Sequence, residues 1–395
     1  MSEKILFEMA DEIGPQTVVY VYDPETGMKG VLVVDQMATG TAGGGTRMLP
    51  DVTAEEIFWL ARAMTNKFAI LDFPRGGCKA GIFGDPGMPK NKKKKVMVAF
   101  GRSLQPYLSS RQVSLATDMG IGGDDLAAIY EGVGIPGPGK GLSGLEKDGE
   151  PLENHLTGFG VVSAIKEACK VVGIKDMKGI TVAIEGFGKV GGGEIRYCNE
   201  LGAKVVAVSN VYGGIYNKKG LDVEKLLKMR RELGQKALQK YKDAEQIAPE
   251  ELYFLRADVI SPGARPYVVT KDNVHKVKAK IVCGGANIPT TPEAEKILFE
   301  RGILSVPDFI ANSGGTIANM VNYLGGGAEQ AFKAIEMLIS RLTREITAET
   351  FKTKKDPYTI ALNICKERVL KARAQTKKLT FEETMAKIKV QLGVF

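Results

Sequence analysis

The sequence predicts an α/β protein of two domains: an N-terminal α/β domain over residues 1–155 and a doubly wound parallel sheet over 156–334, with helices over 335–395 packing back on the first. Three observations predict it. The length of 395 residues exceeds one typical domain and suggests two or three, each able to bury a core. A succession of strand, glycine turn, helix and strand occupies residues 180–208, as expected for parallel strands joined by crossover helices. From about Glu329 onward the apolar residues recur at helical spacing and no strand signal remains.

Composition narrows the class. Apolar residues make up 44% and charged residues 25%, with no low-complexity tract, which excludes disorder and collagen. Lys and Arg number 54 against 46 Asp and Glu, and the net charge of +8 is interleaved along the chain, so no nucleic-acid partner is expected. Five cysteines, Cys78, Cys169, Cys198, Cys283 and Cys365, form no C-x-x-C pair, and His155 and His275 are the only imidazoles. A disulfide framework, a metal site and a Ser-His-Asp triad are therefore not expected, and acid–base chemistry falls to Lys, Asp, Glu, Tyr or Cys. The N-terminus lacks an apolar signal region and no run approaches 18 apolar residues, so a cytoplasmic protein with no membrane association is expected.

Taken in order, residues 17–22 and 30–35 are β-rich runs around Asp23-Pro24-Glu25-Thr26-Gly27 and read as a hairpin. Thr53-Ala54-Glu55-Glu56 resembles a capping box and opens a helical pattern through Ile57, Leu60, Ala61 and Met64 to Lys67. Residues 75–82 read as a glycine-rich turn, and the lysines of 90–95 as the solvated face of a helix that continues through Val96, Phe100 and Leu104. The Gly/Pro-rich residues 132–153 form a long loop at the domain boundary, followed by a helix over 157–172. Short apolar runs at 258–260, 280–283 and 309–311 extend the second sheet.

The glycine turn is Gly186-Phe187-Gly188-Lys189-Val190-Gly191, a G-x-G-x-x-G that follows a strand and opens a helix. The first glycine permits the tight turn, the second lets backbone approach a pyrophosphate, the third lets helix meet strand, and the helix N-terminus offers unpaired N–H groups to the anion. This makes the second domain Rossmann-type and dinucleotide-binding. The next strand ends at Ser209-Asn210, where NAD-binding chains usually place an acid on the ribose hydroxyls. Asn210 would not repel a 2′-phosphate, and Lys218 and Lys219 follow, so NADP or dual use is favoured slightly over NAD alone.

Lys79 lies among Gly76, Gly77 and Gly81, where cleft closure would desolvate its ammonium, and an amine brought toward neutrality can act as a base. Its plainer reading is an exposed turn lysine; that of Asp118 is a turn or N-cap aspartate. Gly44-Gly45-Thr46-Arg47-Met48, Lys67, the residues 76–81 turn, Thr117-Asp118-Met119-Gly120, Gly285-Ala286-Asn287 and Ala311-Asn312-Ser313-Gly314-Gly315 nevertheless occur in an order that resembles the glutamate/leucine/phenylalanine/valine dehydrogenase family, over roughly residues 15–345.

The resemblance implies that Lys67, helped by the Gly76-Gly77 backbone, binds the substrate α-carboxylate, that Lys79 is the catalytic lysine and that Asp118 shuttles protons. Asn287 would orient substrate or nicotinamide, and Thr157 would sit near the carboxamide. It implies an NAD(P)-dependent L-amino acid dehydrogenase, releasing a 2-oxo acid and ammonia from a cleft between the domains, and a homo-oligomer of hexameric or octameric type. Glutamate members carry a lysine before the double glycine where this chain has Gly43, and a serine where it has Asn319; Thr316 replaces a common valine. The implied pocket of Gly43, Ala116, Thr316 and Asn319 is roomy and partly polar, which points to a neutral aliphatic or aromatic amino acid. Glutamate stays open should another lysine or Arg75 approach. A rival from another class is a non-catalytic Rossmann regulatory subunit, against which the intact Lys67, Lys79 and Asp118 argue.

Overall fold

The computed structural model describes residues 7–137, 145–375 and 377–394; residues 138–144 of the expected Gly/Pro loop lie outside them. The chain divides into two compact units, Met1–Gly141 with Asn363–Phe395, and Leu142–Leu362. The division falls before residue 155, because the helix that begins at Glu153 packs within the second unit. Of the helices expected to return from residue 335, Ala328–Thr353 also packs on that helix, so only the chain from Asn363 joins the first unit.

In the first unit, strands β1 (Thr17–Asp23), β2 (Met28–Val34), β3 (Ala42–Leu49), β4 (Gly76–Phe83) and β5 (Val113–Thr117) form a sheet of order β1-β2-β4-β3-β5. The expected hairpin is present as the antiparallel pair β1/β2, β2 is antiparallel to β4, and β3 is parallel to both β4 and β5. Residues 75–82 are thus not a turn but largely strand, despite glycine's poor strand propensity. Close approach explains the glycines. A Cβ on Gly44 would stand 1.6 Å from the Cys78 carbonyl oxygen, and one on Gly77 would stand 2.2 Å from the Thr65 nitrogen in helix α1 (Ala54–Ile70). Helix α1 begins as expected at Thr53, whose hydroxyl accepts from the Glu56 N–H at 3.1 Å. On the opposite face, Met97, Phe100 and Leu104 of the segment around α2 (Lys90–Ser103) and Ile129 of α3 (Gly123–Val133) build a core with Leu32, Cys78 and Ala80. The lysine run is not uniformly solvated: Lys93 is mostly buried, with its ammonium 2.7 Å from Asp125 and donating to the Gly120 carbonyl at 2.8 Å.

In the second unit, helix α4 (Glu153–Val171) precedes β8 (Thr181–Glu185), α5 (Lys189–Glu200) and β9 (Lys204–Asn210); the two-residue pair β6 (Glu146–Lys147) and β7 (Glu150–Pro151) lies before them. With β10 (Gly213–Tyr216), β11 (Glu245–Ile247), β12 (Val259–Ser261), β13 (Ile281–Cys283) and β14 (Leu304–Val306) the sheet order is β11-β10-β9-β8-β12-β13-β14. The five strands from β9 to β14 are parallel, and β10 and β11 add an antiparallel edge. Residues 309–311, expected as strand, are helical; the strand is Leu304–Val306, ended by Pro307, which has no N–H to give a ladder. The chain leaves β8 toward β9 on one side and returns to β12 on the other, so the carboxyl ends of β8 and β12 flank the switch point where such sheets hold ligands. Helices α6 (Val223–Leu233), α7 (Gly314–Tyr323), α8 (Ala328–Thr353), α9 (Pro357–Arg373) and α10 (Phe381–Leu392) complete the elements used below.

Candidate active site

The register of β3, β4 and β5 places Gly43 beside Gly77 and Ser114, and Gly45 beside Ala116. Because alternate strand residues face the same side, these positions share one sheet face with Lys79. The Lys79 side chain is 6% exposed, so the ammonium is not a solvated turn group, and its Nζ lies 2.7 Å from Asp118 Oδ2. The Arg47 Nε donates to that same oxygen at 3.1 Å, and the Arg47 guanidinium also pairs with Glu56 of α1. Asp118 sits just beyond β5, in an isolated bridge to Ile121, and caps no helix. Burial pushes its carboxyl up, but the Lys79 and Arg47 charges outweigh burial and hold it well below the usual carboxylate range. A Cβ on Gly45 would stand 3.0 Å from the Asp118 Cβ and 3.1 Å from Lys79 Nζ, so the floor beneath this pair is backbone alone. Lys67 is buried in the last turn of α1, and Gly76 and Gly77 open β4.

The space before the double glycine is not vacant. A Cβ on Gly43 would stand 2.6 Å from the Arg75 Cζ, so the position expected to give a roomy pocket is covered by a guanidinium. The role of Arg47 was not legible in the sequence, although its place two residues beyond Gly45 on an alternating strand puts it on the Lys79 face.

In the second unit, Gly186 has φ +99°, a conformation that favours glycine, and a Cβ on Gly191 would stand 1.9 Å from the Gly186 carbonyl oxygen. Gly188 precedes α5 with no side-chain cap, and Lys189 and Val190 open the helix. Its first N–H groups are those an anion would take. The Ser209 hydroxyl, buried beside this turn at the end of β9, has no partner among the described residues. The turn, the helix N-terminus and this hydroxyl fit a dinucleotide.

Sequence reasoning missed Arg230 and Gln235, whose Nε and Nε2 each donate to the Phe187 carbonyl at 3.1 Å; no motif marks them. The Asn210 amide nitrogen donates to the Gln235 carbonyl at 2.7 Å and to its Oε1 at 3.1 Å, while its oxygen accepts from the Tyr212 N–H at 2.8 Å. Asn210 thus ties the end of β9 to the segment behind it. Lys218 and Lys219 lie elsewhere than expected. Strand β10 runs back along β9, and the Asn217 N–H bonds the Val206 carbonyl, so these lysines stand toward the start of β9, roughly 13 Å or more from Asn210 at about 3.3 Å per residue. They place no cation at the end where the ribose is expected.

Asn287 follows β13, and its Oδ1 accepts from Asn312 at 3.2 Å; the same Asn312 amide donates to the Ala286 carbonyl at 2.8 Å. Asp308, also missed, accepts from the Ile288 N–H at 2.9 Å and steadies this segment. A Cβ on Gly315 would meet the Thr157 hydroxyl at 2.9 Å, so α7 lies against Thr157 of α4 through Gly315; Thr316, the next residue, is half-buried and Asn319, one turn on, is exposed. Among the described residues no group of His, Cys, Asp and Glu could hold a metal ion, and no helix is long and apolar enough to cross a membrane.

The sequence profile of Glutamate/Leucine/Phenylalanine/Valine dehydrogenase matches residues 149–376, and that of the Glu/Leu/Phe/Val dehydrogenase dimerisation domain matches 15–133. The chain is 35% identical to the glutamate dehydrogenase of Thermotoga maritima, covering 86% of this chain and 84% of that one, and 33% identical to the NADP-specific glutamate dehydrogenase of Saccharolobus shibatae, covering 85% and 82%. Among solved structures it is similar to the hetero-hexameric glutamate dehydrogenase of Thermus thermophilus in its Leu-bound form, with a TM-score of 0.80, 27% identity, and 93% and 94% of the two chains covered. The chain belongs to the glutamate/leucine/phenylalanine/valine dehydrogenase family of amino acid dehydrogenases.

Proposed function

We propose that this family member carries out the reversible oxidative deamination of an L-amino acid to its 2-oxo acid and ammonia, with NAD or NADP as acceptor. The observation that carries the reading is the buried Lys79 ammonium, 2.7 Å from a carboxylate that two cations keep ionised, over a floor of glycine backbone. When bound, the dinucleotide supplies the acceptor for the hydride from the amino acid Cα. The residues 186–191 turn and the N-terminus of α5 would take its pyrophosphate, and Ser209, Asn287 and Thr157 would fix the remainder.

The chain's own groups then do the rest. Lys67 and the Gly76-Gly77 backbone hold the substrate α-carboxylate. In its uncharged amine form Lys79 accepts a proton from the water that adds to the iminium carbon and returns it to solvent before the next turnover, and Asp118 takes the proton of the resulting hydroxyl and gives one to the nitrogen. Ammonia leaves as the carbinolamine collapses to the carbonyl. Arg47 anchors Asp118 so that the same oxygen faces Lys79 throughout. The match to the family's dimerisation domain and the hetero-hexameric relative support assembly as an oligomer, which we take to be of copies of this chain. The choice between NAD and NADP rests on groups near Asn210 and Gln235, since Lys218 and Lys219 stand at the other end of the strand.

The test is direct. Purified protein offered a panel of L-amino acids should reduce NAD or NADP, and Lys79→Ala should lower kcat by about 10² to 10⁴, the usual contribution of a positioned base. Full activity in that variant would remove the mechanism.

A further inference from the structure

We infer that Arg230 and Gln235 aim the dinucleotide-binding turn from behind, and that Glu150 of the β6/β7 hairpin holds Arg230 to that task; the inference rests on the dehydrogenase reading above. All three act through the backbone and are positioning residues. Gly188 has no Cβ, so the tilt of the Phe187–Gly188 peptide is not fixed by local sterics. Two donors from α6 and the turn that follows it fix it instead: Arg230 Nε and Gln235 Nε2 each reach the Phe187 carbonyl oxygen at 3.1 Å. A carbonyl oxygen accepts two such bonds, so its capacity is filled. In a planar trans peptide the N–H points opposite to the C=O, and the Gly188 N–H is therefore directed away from both donors. That N–H and those that open α5 are the groups the pyrophosphate would take. A turn already held in one orientation spares binding the cost of ordering it.

Helix stability does not explain the place of Arg230. Its guanidinium lies on Gly192 near the start of α5, where a Cβ would stand 2.6 Å from Nη1 and 2.7 Å from Cζ, and a cation there opposes the helix dipole. Glu150 offsets this charge. Its Oε2 and Oε1 accept from Arg230 Nη1 at 2.9 and 3.2 Å, with Arg196 at 3.5 Å and Arg231 at 3.9 Å, and its side chain is mostly buried. The hairpin that carries Glu150 has two residues in each strand and turns through Asp148 and Gly149, at φ +54° and +72°, the left-handed pair that a tight hairpin turn needs. His155 of α4 ties it down: one ring nitrogen lies 3.0 Å from the Lys147 carbonyl oxygen and the other 3.2 Å from the Tyr197 hydroxyl on α5. The carboxylate thus has a fixed place, and because it pairs the guanidinium, Arg230 supplies the turn with geometry rather than with charge. Gln235 carries the brace onward to the end of β9, where its Oε1 accepts from the Asn210 amide at 3.1 Å.

The experiment measures Kd for NAD, NADP and ADP by titration calorimetry in wild type, Arg230→Met, Arg230→Lys, Glu150→Gln and Gln235→Leu, each checked by circular dichroism. Field and brace predict opposite signs for Glu150→Gln: removing a negative charge beside an anion site tightens binding, whereas freeing Arg230 loosens the turn. We expect Kd for the three ligands to rise about 5- to 30-fold in Arg230→Met and Gln235→Leu, the effect of misdirecting a backbone donor, and to rise in Glu150→Gln as well. Arg230→Lys keeps the charge without the fork and should recover little of the loss. The KM for the amino acid at saturating dinucleotide should stay within about two-fold of wild type in every variant, a split that general damage to the fold would not give. Tighter binding in Glu150→Gln, or wild-type affinity in Arg230→Lys, would show that the site uses the arginine's charge and would overturn the inference. Should Arg230→Met not fold, Glu150→Gln and Gln235→Leu decide, and unchanged constants in both overturn it while leaving the dehydrogenase reading intact. A wild type that binds neither NAD nor NADP overturns both.

Discussion

At the scale of single residues, Asp118 shows how a buried carboxyl is kept ionised, as the proposed proton transfer requires. Its Oδ2 takes both Lys79 at 2.7 Å and Arg47 at 3.1 Å. Its folded pKa is depressed, so the carboxylate is ionised across the neutral range, and its contribution to stability is present above the ordinary value of 3.8 and is lost as pH falls through the lower folded value. Asp118→Asn keeps the shape but withdraws the charge that faces two cations. We expect kcat to fall by about 10² to 10⁴ while dinucleotide affinity, measured by cofactor fluorescence, stays at the wild-type value. An unchanged kcat would show that the proton takes another route. Lys79 and Asp118 were singled out by motifs that resemble the family's, whereas their 2.7 Å pairing emerges only from the fold. The roles of Arg47 and Gln235 were not legible, since they come from pairing register and from a loop return that no local pattern encodes.

At the scale of elements, β4, beside the glycine-rich β3, shows why residues 75–82 read as a turn in the sequence. Propensity argues against strands there, yet the backbone must pass within van der Waals range of α1 and of the neighbouring strand, and only residues without a Cβ allow it. Helix α5 departs in the other direction, with a carboxyl where the helix meets the sheet. Glu194 is fully buried, its Oε2 accepts from the Ser261 hydroxyl at 2.5 Å, and its Oε1 has no partner among the described residues. Burial pushes its carboxyl up to about 8. The group is then neutral in the fold but ionised in the unfolded chain above about 4.5, so unfolding releases a proton and stability declines as pH rises from about 5 to 8, levelling off beyond. Glu194→Gln cancels this, and the stability difference between the two proteins should change with pH by an amount of order 4 kcal/mol across that window. Urea titrations at pH 5, 7 and 9 measure it; parallel stability curves would show that the carboxyl is ionised in the fold.

At the scale of the whole molecule, the chain closes the first unit with its own end, which the helical tail made legible in outline but not in extent. The sequence shows that 335–395 is helical, but periodicity does not say which unit a helix joins. Side chains decide that: α8 packs on α4, whereas the later residues of α9 bond to the end of α1. There the Arg368 Nη1 donates to the Ala69 and Ile70 carbonyls at 2.8 and 2.9 Å, two of the last acceptors of α1, across a separation of 299 and 298 residues. Cys365 Sγ lies 3.4 Å from the Asn66 carbonyl oxygen, and the Leu379 N–H donates to the Thr39 carbonyl at 2.7 Å. The last turn of α1 carries Lys67, the proposed contact of the substrate α-carboxylate, so the tail supports the turn on which that contact would depend. Arg368→Ala removes the cap and should cost about 1–3 kcal/mol of stability in the first unit, the range for orphaning buried acceptors. The kinetic consequence should be selective: KM for the amino acid rises several-fold as Lys67 loosens, while the dinucleotide Kd, set by residues of the second unit, does not move. Equal shifts in both constants would mean that the tail acts on the molecule at large rather than through the end of α1.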